Sequence, residues 1–87
     1  MKMNEKKLAR DILNKLVVTK EGKRLGLVKD VTFETRSGEL IHIVASSPTQ
    51  HAQSLNIERG KGGELLIPFS SILAIGDFVV VSEEEMR

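Results

Sequence analysis

The sequence predicts an all-β chain with one short helix at its start, folded as a small antiparallel barrel or sandwich of about six strands. Three observations predict it. From residue 16 onward, short apolar runs rich in β-branched residues recur, separated by Gly, Pro and Ser turns. Only one stretch, near the start, has helical spacing. No strand alternates with a long helical segment, and no internal repeat or low-complexity block occurs beyond the glycines at 60–63. With 87 residues the chain makes one small domain: a flexible start at 1–4, a folded unit at 5–82 and an acidic tail at 83–87.

Each element has its own reason. Leu8, Ile12 and Leu16 recur at four-residue spacing, which predicts an amphipathic helix over 5–13. Asn4 can cap its first turn and Asn14 can close it in the left-handed region. So short a helix must dock on the rest of the chain. Residues 16–19 read as a strand, and 20–24 as a turn with Gly22 at positive φ. Residues 25–35 form the longest strand. Gly26 and Val28 share one parity there, but Val31 and Phe33 share the other. One face can hold both sets only if a residue is inserted, so a β-bulge is expected near Lys29-Asp30. Gly38 turns the chain into a return strand over 40–46. Ile41, Ile43 and Ala45 alternate there with Leu40, His42 and Val44, so both faces are mostly apolar. That predicts a central strand with a second layer over it. Residues 47–64 carry turn chemistry with Leu55 and Ile57 as anchors, a length that points to a functional or mobile segment. A strand over 65–67 stops at Pro68, a helical turn follows at 70–73, Gly76-Asp77 makes a tight turn, and 78–82 is the last strand.

Composition excludes several function classes. There is no cysteine, so disulfides, thiolate catalysis, Cys-ligated zinc and iron–sulfur clusters are absent. No apolar run approaches a membrane span, and the start lacks a signal-peptide core, so a cytoplasmic location is expected. Net charge is +1, but residues 1–29 carry +6 and residues 30–87 carry −5. Such segregation along a sequence need not survive as a surface patch.

The catalytic inventory is thin. His42 lies among aliphatic residues and His51 lies in the long connection. Neither has a sequence neighbour that makes a relay. No catalytic residue, metal site or cofactor is expected. Gly60-Lys61-Gly62-Gly63 lacks the spacing and the following Ser or Thr of a phosphate loop, so it reads as a hairpin tip. Asp30 reads as a bulge residue that accepts hydrogen bonds from backbone N–H groups, and Asp77 as a turn residue. Nucleic-acid binding is not expected: the chain has no Tyr or Trp, and Phe33, Phe69 and Phe78 fall in apolar runs that read as core. The short helix lacks an aromatic anchor for a membrane surface.

Three segments resemble one known family. Val17-Val18-Thr19-Lys20-Glu21-Gly22-Lys23-Arg24-Leu25-Gly26-Leu27-Val28-Lys29-Asp30-Val31 resembles the opening of the PRC-barrel domain. Phe33-Glu34-Thr35-Arg36-Ser37-Gly38-Glu39-Leu40 resembles its next hairpin. Leu66-Ile67-Pro68-Phe69-Ser70-Ser71-Ile72-Leu73-Ala74-Ile75-Gly76-Asp77 resembles its closing segment. The likeness covers about residues 8–82, and Gly22, Gly26, Asp30, Gly38, Pro68, Gly76 and Asp77 fall on the family's motif. Two features depart from it: the 47–64 stretch lies outside the shared pattern, and Asn14 stands where the family often has Gly.

The resemblance implies a PRC-type β-barrel that binds proteins rather than catalyses. The family is similar to the cytoplasmic barrel of the photosynthetic reaction-centre H subunit and to the C-terminal half of the ribosome-maturation factor RimM. This chain looks most like short stand-alone archaeal members, which are implicated in cell division through SepF- and FtsZ-type proteins. The expected function is therefore a non-enzymatic adaptor, homodimeric, bound to a division protein and reaching a membrane only through a partner. The alternative is a RimM-like factor that binds a small-subunit ribosomal protein or rRNA. Partner contact is expected at His42, His51, Leu55 and Ile57, or at the acidic residues Glu83, Glu84 and Glu85.

Overall fold

The computed structural model describes residues 10–86. The Asn4 cap, the first turns of the helix expected over 5–13, the start at 1–4 and Arg87 lie outside them. Residues 10–12 are helical, and Ile12 is fully buried. Asn14 follows at φ 71°, the left-handed turn by which an Asn can end a helix.

Six strands follow: β1 (Leu16–Thr19), β2 (Arg24–Phe33), β3 (Leu40–Ser46), β4 (Leu65–Pro68), β5 (Ile72–Ile75) and β6 (Phe78–Val81). They form one sheet in the order β4-β3-β2-β1-β6-β5. Every pair is antiparallel except β1 and β6, which run parallel. The reason is geometric. β4 and β5 run in the same direction, separated only by a 3-10 turn at Phe69–Ser71. They act as two halves of one bent strand, the first paired with β3 and the second with β6. The chain therefore makes five passes around the barrel. Directions cannot alternate around a ring of five, so one neighbouring pair must be parallel. No ladder joins β4 to β5, so the hydrogen-bonded sheet stays open between these two edge strands, which the turn connects along the chain. Ser71 ties it down: its hydroxyl donates to the Pro68 carbonyl at 2.7 Å and its carbonyl accepts from the Ser82 N–H at 2.9 Å.

The expected bulge is present. Val28 pairs with Ala45 and Asp30 with Val44, so Lys29 is the extra residue. Before it Gly26 and Val28 face inward; after it Val31 and Phe33 pack against the core. Ile41 is extra in the same way on β3, and is exposed. The second layer expected over β3 is not found among the described residues: His42 and Val44 stay half-buried on the outer face. The core is the barrel lumen, filled by Val17, Leu25, Ile43, Leu65, Ile67, Val79 and Val81. Each such side chain contributes roughly 1.5–3 kcal/mol by leaving water.

The 47–64 connection holds regular structure. A short helix, α1 (Gln50–Ser54), is capped by Thr49, whose side chain accepts from the Ala52 N–H at 3.1 Å. Ala52 is fully buried at the barrel end. A turn at 60–63 then folds around Glu64, and Arg59 bridges to Leu65. The stretch at 83–86 is not a free tail either. Glu84–Met86 forms a 3-10 turn that places Met86, 8% exposed, in the core cluster.

Candidate functional site

Strand alternation builds an apolar face on the outside of the barrel. On β1, Val17 and Thr19 point inward, so Leu16 and Val18 point outward. On β6, Val79 and Val81 take the inward positions, which turns Phe78 and Val80 outward. Leu16 lies opposite Leu27 on β2 and beside Phe78 on β6. Three large side chains thus share one row across three strands, at the spacing where cross-strand neighbours touch. Val18, Val80 and Ala74 make the next row. Leu27 is 40% and Phe78 51% exposed. The sequences LVVT and FVVV put no charge inside these two strands.

Phe78 corrects the expectation that all three Phe are core. Phe33 and Phe69 do pack against the core, but Phe78 stands on the surface. In a run of four apolar residues nothing polar marks the phase, so parity alone could not show which side chains face out.

Charges border this face. Lys15, just before Leu16, donates from its ammonium to the Gly76 carbonyl. Asp77, just before Phe78, is exposed. At the far end of the strands the Lys20 ammonium lies 3.3 Å from Glu84. Lys20 belongs to the basic first third of the chain and Glu84 to its acidic remainder. Lys29 and Glu64, 4.0 Å apart, repeat that pattern. Folding thus sets opposite charges side by side, and the segregation seen along the sequence does not persist there. Such exposed pairs contribute at most about 1 kcal/mol each.

The two histidines occupy different surfaces. His42, on the outer face of β3, lies 3.3 Å from the Thr32 hydroxyl through Nδ1 and 3.9 Å from Glu58 through Nε2. It borders an open groove of about 500 Å³ with Ile41, Pro68 and Phe69. His51, on α1, lies 2.9 Å from Glu83 through Nε2. It lines a cleft of about 370 Å³ with Lys20, Lys23 and Glu84. The fold does not bring the two rings to one pocket, as a two-histidine site would require. Among the described residues no group of three His, Asp or Glu is placed to hold a metal ion. Leu55 is half-buried and Ile57 only 6% exposed, so Ile57 serves as a core anchor and offers no surface to a partner.

The seven motif residues are spread along the fold rather than gathered in a pocket. Gly22 (φ 87°) turns β1 into β2, and Gly38 (φ 75°) turns β2 into β3. Gly26 faces β3 at close range. Asp30 sits beside the bulge, and its carboxylate accepts from the Val31 N–H at 2.8 Å. Pro68 ends β4 opposite His42, and Gly76 with Asp77 forms the β5–β6 turn. The glycine-rich tip at 60–63 already holds an anion: the Gly62 N–H donates to the Glu64 carboxylate at 3.0 Å.

Comparison with known proteins agrees with this architecture. The family described as PRC-barrel domain matches residues 4–86. The chain is also similar to an uncharacterized protein of Methanocaldococcus jannaschii, with 30% identity over 83 residues covering 95% of this chain and 89% of that protein. No helix among the described residues is long and apolar enough to cross a membrane.

Proposed function

This chain belongs to the PRC-barrel domain family, and on that premise we propose that it is a non-enzymatic adaptor that binds proteins, itself included. Its partner in this reading is a cell-division protein of the SepF or FtsZ type, met in the cytoplasm, and any contact with a membrane runs through that partner. The observation that carries the reading is the outward row Leu27, Leu16 and Phe78. Large apolar side chains left contiguous on a small domain mark a surface that is buried in an assembly. The relative in Methanocaldococcus jannaschii supports an archaeal setting.

Affinity purification of the tagged protein from its own cells, followed by mass spectrometry, tests the reading. Enrichment of SepF- or FtsZ-type proteins is the expected result. Enrichment of small-subunit ribosomal proteins in their place overturns it and favours a RimM-like role in ribosome maturation.

A further inference from the structure

We infer that the open groove between the β2–β3 hairpin and the turn after β4 is a docking site for a cationic peptide segment of a partner protein, one that sets a large apolar side chain beside a lysine or arginine. This surface is separate from the apolar row on β1, β2 and β6, since none of Leu27, Leu16 and Phe78 lines it. Its chemistry is the same whichever protein carries the segment, so it reaches beyond the adaptor reading above.

The groove, of about 500 Å³, has an apolar floor and an acidic lip. Ile41, Pro68 and Phe69 make the floor. Ile41 reaches it through the irregularity in β3, where Thr32 pairs with His42 and Phe33 with Leu40. A bulge re-aims a side chain, and this one leaves an isoleucine 41% exposed. Glu34 and Glu39 make the lip. They flank the end of the hairpin, where the Glu34 N–H donates to the Glu39 carbonyl at 2.7 Å. The Glu34 carboxylate is already held in place, because its Oε1 accepts from the N–H groups of Ser37 and Arg36. Those bonds favour its ionised form and leave Oε2 to one side. The ion pairs among the described residues join Lys20 to Glu84, Lys29 to Glu64, His42 to Glu58 and His51 to Glu83, and none uses Glu34 or Glu39. Arg36, in the same turn, bonds Glu34 through its backbone N–H and does not line the groove. His42 is the one other titratable group on the lining, and its Nε2 lies toward Glu58. Two carboxylates without a cation thus border an apolar floor. A lysine or arginine supplies the missing charge, and an apolar neighbour in the same segment covers Ile41. An apolar centre with a charged rim is the anatomy of a protein-recognition surface. The same carboxylates repel the phosphates of RNA and of anionic lipid headgroups.

A phage-displayed library of random short peptides, panned against the immobilised full chain, tests this. The enriched sequences are expected to place Lys or Arg next to a large apolar residue. A selected peptide, synthesised with a fluorescent label, should lose affinity by about tenfold or more for Glu39→Lys and for Ile41→Ser, the effect of removing a central contact from a small interface. Both side chains are exposed, so both variants should unfold as cooperatively as the wild type. Should either not fold, Glu39→Gln removes the charge alone and should still weaken binding. Enrichment of acidic or uncharged sequences, or of none, overturns the proposal. So does a selected peptide whose affinity the variants leave unmoved, because it then binds elsewhere. Sedimentation equilibrium of the chain alone checks the other occupant: a dimer that Ile41→Ser dissociates means that a second copy fills the groove, and overturns the proposal as well. The purification described above reads a different question. Enrichment of ribosomal proteins there overturns the division reading and leaves the chemistry of this groove standing.

Discussion

A Cβ placed on Gly26 would stand 2.5 Å from the carbonyl oxygen of Ser46. Gly26 lies on β2 and Ser46 at the end of β3, and the two backbones approach closely where the sheet curls. The obstacle is a backbone atom, which cannot swing aside as a side chain can. Gly26→Ala is therefore expected to destabilise the fold by about 1–3 kcal/mol, the usual effect of overpacking a tight site. Urea denaturation measures it. Gly60→Ala is the comparison: the atoms in its way belong to the Glu64 side chain, and a smaller loss is expected there.

Thr49 joins the long connection to the barrel. Its hydroxyl donates to the Arg24 carbonyl at 2.6 Å and accepts from the Ala52 N–H at 3.1 Å. Thr49→Ala removes the cap of α1 and one tie to β2 together. A loss of about 1–2 kcal/mol is expected, with Thr49→Ser retaining most of the stability. Hydrogen exchange at Ala52 should accelerate in the Ala variant and not in the Ser variant.

Met86 distinguishes a docked C-terminal turn from a solubilising tail. Its side chain packs in the core cluster. Met86→Ala is expected to lower stability by about 2 kcal/mol or more. Thermal unfolding unchanged by the substitution would mean that the turn does not stay docked.

Glu34 gives a pH dependence with a definite sign. Its carboxylate accepts from the N–H groups of Ser37 at 2.8 Å and Arg36 at 2.7 Å. These bonds, that of Ser37 first, hold the carboxyl below its ordinary pKa in spite of a small opposing effect of desolvation. A carboxyl whose pKa is lower folded than unfolded adds stability above the unfolded value. That stability is lost as pH falls through the lower, folded value. Glu34→Gln should flatten this acid-side loss, and an NMR titration of the Glu34 carboxyl should give a midpoint below that of an unstructured peptide.

Much of the fold was legible because local chemistry dictates it. The parity change between Val28 and Val31 located the bulge near Lys29-Asp30, since a strand has only two faces, and the register makes Lys29 the extra residue. Gly22, Gly38 and Asn14 marked positive φ, which few other residues tolerate. Five of the six strand positions followed from apolar runs between turn residues; the helical turn expected at 70–73 is instead a 3-10 turn at Phe69–Ser71, and β5 begins at Ile72. Less was legible where long-range packing decides. The 47–64 stretch looked irregular because a five-residue helix leaves almost no periodic signal. The acidic residues at 83–85 hid the buried Met86 beside them.

The candidate surface was the least legible part. A run such as FVVV states that a strand exists and not which side chains it shows. That depends on β1 and β6, some sixty residues apart in the chain, lying parallel as neighbours in the sheet. The sequence by itself determined the place of five of the six strands, the turns at Gly22 and Gly38 and the bulge beside Asp30, because those follow from backbone sterics and two-residue periodicity. Only the tertiary structure decided the parallel seam, the exposure of Phe78 and the separation of His42 from His51, because each depends on how five passes of chain close around one core.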